Sequence, residues 1–195
     1  MAQIALFCLS QKPPSTSNSI RSATRELLKL SVNSLTDKNV GFEYFDLRET
    51  PFPFFDGRAP EFYGGAVHSA LRCIRDASYL VFSVPAYWGS ISGAAKNFFD
   101  VLAGPAYDNP SQCSLFSGKK IGFIVVGGSE GDSDSALVQL ESLARAFGSD
   151  GSKVAVTVDN PRSYSDMPRV IRECFSLPFR LVQKGPRLYG ESEGK

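Results

Sequence analysis

Apolar runs of strand length alternate with segments of helical periodicity from one end of the chain to the other. Continuous apolar runs predict strands that are buried on both faces, at residues 4–9, 79–84 and 121–126. Alternating apolar residues predict two strands with one wetter face, at residues 40–44 and 154–158. Apolar residues spaced three or four apart predict a helix after each strand, at residues 20–30, 67–74, 93–102, 137–147 and 167–174. Pro178 is expected to kink or end the last of these helices.

This order of elements predicts an α/β domain with a parallel sheet covered by helices on both faces. The second and fifth strands alternate in polarity and therefore belong at the edges of the sheet. The pattern matches a doubly wound five-stranded sheet of order 2-1-3-4-5, with its ligand crevice beside strands one and three. Residues 1–183 are expected to form this single domain, and residues 184–195, rich in glycine and charge, a mobile tail.

The composition narrows the class of function. The chain has 195 residues, of which 43% are hydrophobic and 21% charged, an ordinary globular composition. The formal net charge of +1 gives no reason to expect a nucleic acid or an anionic membrane as a partner. No apolar run approaches the roughly 20 residues that cross a bilayer. The short apolar run at the N-terminus is interpreted as the first strand rather than a signal peptide.

The cysteines argue against a disulfide framework or a zinc site, because they are scattered and form no CxxC pair. Cys8, Cys73 and Cys174 lie in apolar patterns and are expected to behave as small buried hydrophobic residues. A cytoplasmic location follows from this cysteine usage. Cys113 lies in a loop, and nothing near it in the sequence suggests an activated thiol.

The loop after the first strand offers hydroxyls, amides and one cation just before a helix. Free backbone N–H groups and a partial positive charge at a helix N-terminus favour a phosphate there. Capping of the helix by Ser17 or Asn18 explains the same residues without a ligand. The loop is neither a P-loop nor GxGxxG, which disfavours an ATPase or a dinucleotide-binding domain. The candidate phosphate ligands are Ser10, Lys12, Thr16, Ser17 and Asn18.

The loop after the third strand is the most informative segment of the chain. It combines two large rings with hydroxyls and backbone N–H groups, which suits a flat heteroaromatic ligand with polar edges, such as a flavin. Ser92 is the expected N-cap of the following helix. The rings of Tyr87 and Trp88 could equally pack against the core or a partner subunit. The candidate ligand-binding residues are Pro85, Ala86, Tyr87, Trp88, Gly89 and Ser90.

The loop after the fourth strand contains adjacent glycines that let the backbone run close to a ligand. Alternatively, it is a flexible turn ending in Asp132 or Ser133 as a helix cap. Its candidate ligand-binding residues are Gly127, Gly128, Ser129 and Glu130. We expect all three loops to meet at the carboxyl edge of the sheet.

Residues 85–97, P-A-Y-W-G-S-I-S-G-A-A-K-N, resemble the motif P-x-Y-x-G-S-x-S/P-G-x-x-K-N of the NADPH-dependent FMN reductases, a group of flavodoxin-like flavoproteins. Asp100 follows as it usually does in that family, and residues 46–56 are similar to the family's D-L-x-x-L-P-L-P-x-x-D loop. The resemblance extends over residues 4–158. It implies that the first loop surrounds the FMN phosphate, that residues 85–90 line the isoalloxazine ring and that residues 127–130 close its other side.

The chain departs from the family pattern in its first loop, which commonly reads G-S-x-R-x-x-S-x-N. Here Leu9 replaces the glycine, Lys12 stands in for the arginine, and the loop is one residue longer. Lysine is a point charge rather than a bidentate fork. The connection over residues 104–117 is also longer than usual and is interpreted as a lid or a subunit contact.

Several other polar and aromatic residues are not assigned to the chemistry. His68 has no partner for catalysis, and Lys96 and Asn97 are expected to be structural. Three phenylalanines form an aromatic loop that is either a hydrophobic plug or a wall of the substrate site, in the same subunit or a neighbour. They are Phe52, Phe54 and Phe55.

The resemblance favours an FMN-dependent NAD(P)H oxidoreductase, and the cysteine usage places it in the cytoplasm. Hydride would pass from nicotinamide to flavin and then to free flavin, a quinone or a similar small-molecule acceptor. The flavin performs this chemistry, so no catalytic side chain and no metal are expected. The family also implies a homodimer or tetramer. A non-enzymatic electron carrier of the flavodoxin type is the alternative, although its compact T/S-x-T-G-x-T loop and acidic surface are missing. A flavin-free interaction domain on the same scaffold is a third hypothesis.

Overall fold

The predicted alternation of strands and helices is present in the computed structural model of the chain, which describes residues 4–12, 22–107, 114–150, 153–160 and 167–183. The strands are β1 (Ile4–Cys8), β2 (Phe42–Asp46), β3 (Tyr79–Tyr87), β4 (Ser90–Ile91), β5 (Lys120–Gly127) and β6 (Lys153–Asp159). The helices are α1 (Ala23–Asp37), α2 (Gly65–Asp76), α3 (Gly93–Ala103), α4 (Asp132–Ala146) and α5 (Pro168–Val182).

Five of the strands form a parallel sheet in the order β2-β1-β3-β5-β6, which confirms the predicted doubly wound order. The register pairs Phe7 of β1 with Phe45 on one side and Phe82 on the other. The sixth strand, β4, was not predicted. It pairs antiparallel with the end of β3, and a strand of two residues is too short to produce a detectable period.

The two faces of the sheet bury separate clusters because successive side chains of a strand point to opposite faces. In β1, Ala5 and Phe7 belong to the cluster that also contains residues of α2, α3 and α4. Leu6 and Cys8 belong to the cluster that contains residues of α1 and α5. Aromatic rings fill much of the first cluster, where Phe7 stacks on Phe82 with ring centroids 4.9 Å apart.

Helix α1 begins later than the sequence suggested. Its N-cap is Ser22, whose hydroxyl accepts a hydrogen bond from the Arg25 N–H. The expected caps, Ser17 and Asn18, lie outside the described residues. Ser92, in contrast, is the N-cap of α3 as predicted and accepts a 3.2 Å hydrogen bond from the Ala95 N–H.

Pro178 was expected to kink or end the last helix; it does not end it, because α5 continues to Val182. A proline inside a helix cannot donate to the carbonyl four residues earlier, which here belongs to Cys174. That buried carbonyl instead accepts a 2.6 Å hydrogen bond from Ser31 Oγ of α1. A neighbouring helix thus supplies the donor that the proline lacks. Helix α5 can therefore continue although one of its backbone hydrogen bonds is missing.

We expect Ser31→Ala to lower the free energy of unfolding by about 1–3 kcal/mol, because it leaves the Cys174 carbonyl buried without a donor. In a Pro178→Ala background the restored N–H at position 178 can bind this carbonyl, so Ser31→Ala should cost less there. Denaturant unfolding of the four proteins measures the difference. Equal costs in both backgrounds would contradict the explanation. Asn33→Ala, on an exposed position of α1, is the control and should change stability by less than about 0.5 kcal/mol.

Candidate functional site

The three loops predicted to converge follow β1, β3 and β5, which are neighbours in the sheet. Lys12 of the first loop places its Nζ 5.4 Å from the ring centroid of Tyr87 in the second. The N–H of Gly89 in the second loop donates a 2.7 Å hydrogen bond to Asp132 Oδ1, which follows the third. The described parts of the three loops therefore meet at one edge of the sheet. Thr16, Ser17 and Asn18 lie outside the described residues.

A buried ion pair anchors the start of the first loop. Arg25 of α1 donates two 2.8 Å hydrogen bonds to the Asp46 carboxylate at the end of β2. The same guanidinium donates to the carbonyls of Lys12 at 2.6 Å and Ser10 at 3.1 Å. One planar fork therefore fixes the path of the loop relative to both α1 and β2, a role that suits arginine and not lysine.

The pair is charged on both sides. Burial alone would raise the pKa of Asp46, but hydrogen bonds from the Arg25 side chain and the Arg48 N–H outweigh burial and hold this pKa below its usual range. The hydrogen bond to Asp46 raises the pKa of the Arg25 guanidinium further. Burial, together with the Asp46 charge, raises the pKa of the neighbouring Cys8 thiol to about 11. This thiol is therefore protonated at neutral pH and is no nucleophile.

Ser10 is buried, unlike most predicted ligand-binding residues. Its hydroxyl accepts a 2.9 Å hydrogen bond from Ser22 Oγ and a 3.3 Å hydrogen bond from the Lys12 N–H. These bonds tie the loop to the cap of α1. Lys12 itself is exposed, so its ammonium group is the positive charge that the described part of the first loop presents.

The second loop is a tight hairpin turn between β3 and β4. Trp88 and Gly89 both have positive φ, at 57° and 70°, as a two-residue turn of the I′ type requires. Glycine adopts this conformation readily, but an aromatic residue rarely does. The Trp88 side chain is 96% exposed and that of Tyr87 38% exposed. The turn therefore holds two rings at the surface, beside Lys12.

Two carboxylates bind the backbone of the third loop, and the helix that follows is not capped as predicted. The N-cap position of α4 is Gly131, and neither Asp132 nor Ser133 caps the helix with its side chain. Asp159, at the end of β6, instead accepts hydrogen bonds from the N–H groups of Gly131 at 2.6 Å and Ser133 at 2.9 Å. Asp132 Oδ2 accepts a 2.9 Å hydrogen bond from the Ser129 N–H.

The close approach of these carboxylates requires a glycine at the end of β5. A Cβ added to Gly127 would lie 2.1 Å from Asp159 Oδ1 and 2.8 Å from the Ser133 nitrogen. Gly128 is less restricted, since its nearest neighbour would be Asp132 Oδ2 at 3.7 Å. The first glycine of the pair is therefore needed for packing of the loop, whereas Gly128, Ser129 and Glu130 are exposed.

Sequence reasoning missed the residues that hold the loops in place. Asp46 and Asp159 each end a strand at the carboxyl edge of the sheet, a position that itself points to a site. Arg25 gave a weaker signal, as a charged residue inside the apolar pattern of α1. Asp132 was considered only as a cap. Gln139 of α4 binds Gly89 and Ser90, and it gave no signal because these partners lie about fifty residues earlier in the chain.

The aromatic loop after β2 is also held by one side chain. Asn97 of α3 donates a 2.8 Å hydrogen bond to the Pro53 carbonyl and accepts a 2.9 Å hydrogen bond from the Phe55 N–H. Phe52 packs on the core against Phe98, whereas Phe54 is 87% exposed. The structural role expected for Asn97 is thus observed.

The other residues left unassigned have simple surroundings. Lys96 forms an ion pair with Asp100 one turn later in α3. His68 is exposed, and its Nε2 lies 3.3 Å from the Glu61 carbonyl oxygen. Three cysteines are buried free thiols, as predicted: Cys8, Cys73 and Cys174. Cys113 lies outside the described residues.

The described residues offer neither a membrane-crossing helix nor a metal site. No helix there combines the length and apolar character that crossing a membrane requires. Among the same residues, no group of three or more His, Cys, Asp or Glu side chains is arranged to hold a metal ion.

Comparison with known proteins gives the arrangement a context. The family model described as NADPH-dependent FMN reductase matches residues 15–158. A curated NAD(P)H-dependent FAD/FMN reductase of Geobacillus thermodenitrificans (strain NG80-2) is 29% identical over 121 residues, which are 60% of this chain. The match also spans 60% of that relative's length.

Solved structures share the fold at low sequence identity. The apo form of an NADH:FMN oxidoreductase superposes with a TM-score of 0.69 at 16% identity, over 99% of this chain and 97% of that one. An FMN-dependent NADH-azoreductase from Bacillus anthracis str. Ames Ancestor, in complex with FMN, gives a TM-score of 0.64 at 13% identity, over 93% and 99% of the chains. A NAD(P)H:quinone oxidoreductase from Methanothermobacter marburgensis gives 0.64 at 19% identity, over 89% and 94%.

The buried ion pair makes the first prediction for the site. We expect Arg25→Met to lower the free energy of unfolding at pH 7 by about 3–5 kcal/mol, because it leaves the Asp46 charge buried and unpaired. The native pKa of Asp46 lies below the unfolded value of about 3.9. The pair therefore stabilises the fold fully above that pH and loses its effect as pH falls through the native pKa.

Denaturant unfolding of Arg25→Met between pH 7 and pH 3 measures this dependence. The stability difference from the parent protein should shrink as the pH falls towards 3, because protonation relieves the unpaired carboxylate of the variant. A difference that is constant or grows on acidification would contradict the role of the pair. Arg48→Met is the matched control, because the Arg48 side chain is exposed and its described hydrogen bond is to the Gln11 carbonyl, and it should cost less than about 1 kcal/mol.

Proposed function

The chain belongs to the NADPH-dependent FMN reductase family, and we propose that it is an FMN-dependent NAD(P)H oxidoreductase that reduces a small-molecule acceptor. The observation that carries the proposal is the meeting of three loops at the carboxyl edge of the sheet, where Lys12 lies against Tyr87 and Gly89 is tied to Asp132. A cation, aromatic faces and glycine-rich backbone correspond to the phosphate, the ring and the polar ring edge of FMN.

The first loop is the proposed phosphate end of the site. Lys12 is exposed and carries the charge, while the buried Ser10 holds the loop in shape through Ser22. Each charge-assisted hydrogen bond to a phosphate contributes about 1.5–3 kcal/mol. Three further phosphate ligands are proposed from the sequence alone, because they lie outside the described residues: Thr16, Ser17 and Asn18. The full proposed set is Ser10, Lys12, Thr16, Ser17 and Asn18.

The second and third loops are the proposed ring end of the site. Residues 85–90 would line the isoalloxazine, with the rings of Tyr87 and Trp88 beside it, and residues 127–130 would close the other side. The groups present fit this cofactor, because the Lys12 ammonium lies 5.4 Å from the ring centroid of the exposed Tyr87. A cation for the phosphate and an aromatic ring for the isoalloxazine therefore lie next to each other.

The chain's contribution to the reaction is binding and orientation. When bound, FMN supplies the hydride acceptor for NAD(P)H and the electron donor for the second substrate. Lys12 neutralises negative charge, and the Trp88–Gly89 turn fixes the position of the aromatic rings. We assign no general acid or base, since hydride transfer to a flavin requires correct approach of the two rings rather than a protein proton donor.

A non-enzymatic electron carrier is not favoured. Electron carriers commonly bind their redox partner through a strongly charged surface, whereas this chain has a net charge of only +1. A free flavin, a quinone or a similar molecule is the proposed acceptor.

We further propose that the protein acts in the cytoplasm as a homodimer or homotetramer. Its buried cysteines are free thiols, which suits a reducing compartment. The most exposed large hydrophobic residues of the described chain are Trp88 at 96%, Phe54 at 87% and Phe62 at 71%. Covering them in a subunit interface would remove this surface from water. Light scattering of the purified protein tests the oligomeric state.

The proposed function predicts a coloured, active protein. Purified protein should be yellow or become so with FMN, and it should then oxidise NAD(P)H in the presence of an acceptor. Trp88 is the chain's single tryptophan, so quenching of its emission by FMN reports binding at this loop directly. FMN fluorescence that is unchanged by a large excess of protein would refute the proposal. Protein that binds FMN but does not oxidise NAD(P)H would favour the electron carrier.

The phosphate assignment predicts a difference between two flavins. We expect Lys12→Met to weaken FMN binding by roughly tenfold or more, because one charge-assisted contact is lost, and to leave riboflavin binding nearly unchanged. Fluorescence titration with both flavins measures the ratio. Lys29→Met is the control, since Lys29 is exposed on α1 beside Glu26, and it should affect neither flavin. An equal loss for FMN and riboflavin in Lys12→Met would overturn the phosphate role.

A further inference from the structure

The hairpin turn over residues 87–90 is in a conformation that its own sequence does not favour. Trp88 occupies a positive φ of 57°, which costs free energy for a bulky residue. Its side chain is 96% exposed, so packing of the indole cannot compensate within the described chain. Within the described chain, contacts to the backbone of the turn hold this conformation.

Asp132 supplies the first of these contacts. One carboxylate oxygen accepts the Gly89 N–H at 2.7 Å, and the other accepts the Ser129 N–H at 2.9 Å. A single side chain thus bridges the second and third loops, which would lie on the two sides of the isoalloxazine ring. Hydrogen bonds to an ionised acceptor are stronger than neutral ones, so this bridge fixes the distance between the loops.

Gln139 supplies the second contact, from the same face of α4. It lies seven residues after Asp132, which is two helical turns. Its Nε2 donates to the Gly89 carbonyl at 3.0 Å, and its Oε1 accepts from Ser90 Oγ at 3.0 Å. Gly89 is therefore bound at its N–H by one residue of α4 and at its carbonyl by the other.

We propose that Asp132 and Gln139 are positioning residues that preform the Trp88–Gly89 turn for the flavin ring, an inference that rests on the proposed function. Neither residue needs to touch FMN. They hold Gly89 from both sides before the cofactor arrives. Binding then loses less conformational entropy than it would with a flexible turn. Their loss should reduce cofactor affinity, and the turn should become mobile in the cofactor-free protein.

Asp132 also stabilises helix α4, and the test must separate this effect from its hydrogen bond to Gly89. It lies in the first turn of α4, where any carboxylate stabilises the helix through the macrodipole. Asp134 shares that turn, is exposed and makes no described contact with the hairpin. Asp134→Asn therefore removes the same charge from the same turn and leaves the Gly89 tether intact.

The experiment compares Asp132→Asn, Gln139→Ala and Asp134→Asn with the parent protein. Fluorescence anisotropy decay and acrylamide quenching of the single tryptophan report the mobility of the turn without FMN. Titration with FMN then gives the affinity. We expect Asp132→Asn and Gln139→Ala to show faster indole motion and roughly tenfold weaker FMN binding, with kcat changed less than affinity. Asp134→Asn should resemble the parent protein in every measurement.

Unchanged anisotropy and FMN affinity in both tether variants would overturn the proposal, as would an equal effect of Asp134→Asn. Far-UV circular dichroism monitors the fold, and the neutral Gln139→Ala keeps the test decisive if Asp132→Asn unfolds. Failure of the proposed function has a different signature, because the parent protein itself would then not bind FMN. In that case the anisotropy of the free proteins still decides whether these residues hold the turn, and the link to flavin is rejected.

Discussion

The structure of the site depends on charged side chains that bind loop backbone. At the carboxyl edge of a parallel sheet the chain leaves regular hydrogen bonding, and its N–H and C=O groups need other partners. Arg25 takes two carbonyls of the first loop, and Asp132 and Asp159 take N–H groups of the second and third. Each charge is in turn compensated, since the guanidinium meets Asp46 and each carboxylate accepts two N–H groups. Short polar loops can therefore hold a defined shape without a core of their own.

These contacts explain why the loops are specific in shape although their sequences are rich in glycine and serine. A glycine at position 127 lets Asp159 approach the backbone of the third loop, and a positive φ at Gly89 exposes both of its polar groups to α4. Asn97 applies the same principle to the aromatic loop, by binding the backbone on both sides of Phe54. Rigid elements thus position residues that would otherwise be mobile, which lowers the entropy lost when a ligand binds.

The sequence predicted the parts of this molecule that local pattern governs. Buried strands, helix faces and the cap at Ser92 follow from residue order over a few positions, and the strand order follows from which strands are apolar on both faces. The tethers could not be predicted in the same way, because the partners are remote: Gly89 and Asp132 are 43 positions apart, and Gly131 and Asp159 are 28 apart. That α5 continues past Pro178 could not be predicted for the same reason. Its local signal is that of a helix end, and only Ser31, from a distant helix, supplies the missing donor.

Two cationic residues belong to the first loop region, and they face opposite ways. Arg25 faces inward, and its planar fork matches a carboxylate and two carbonyls at once. It sets the shape of the loop and is not available to a ligand. Lys12 faces outward on a flexible stem, with its ammonium beside the ring of Tyr87. A lysine can follow a phosphate over a range of positions where a guanidinium demands one geometry. Arg25 therefore fixes the path of the described part of the loop, whereas the charge that the loop presents lies on a flexible side chain.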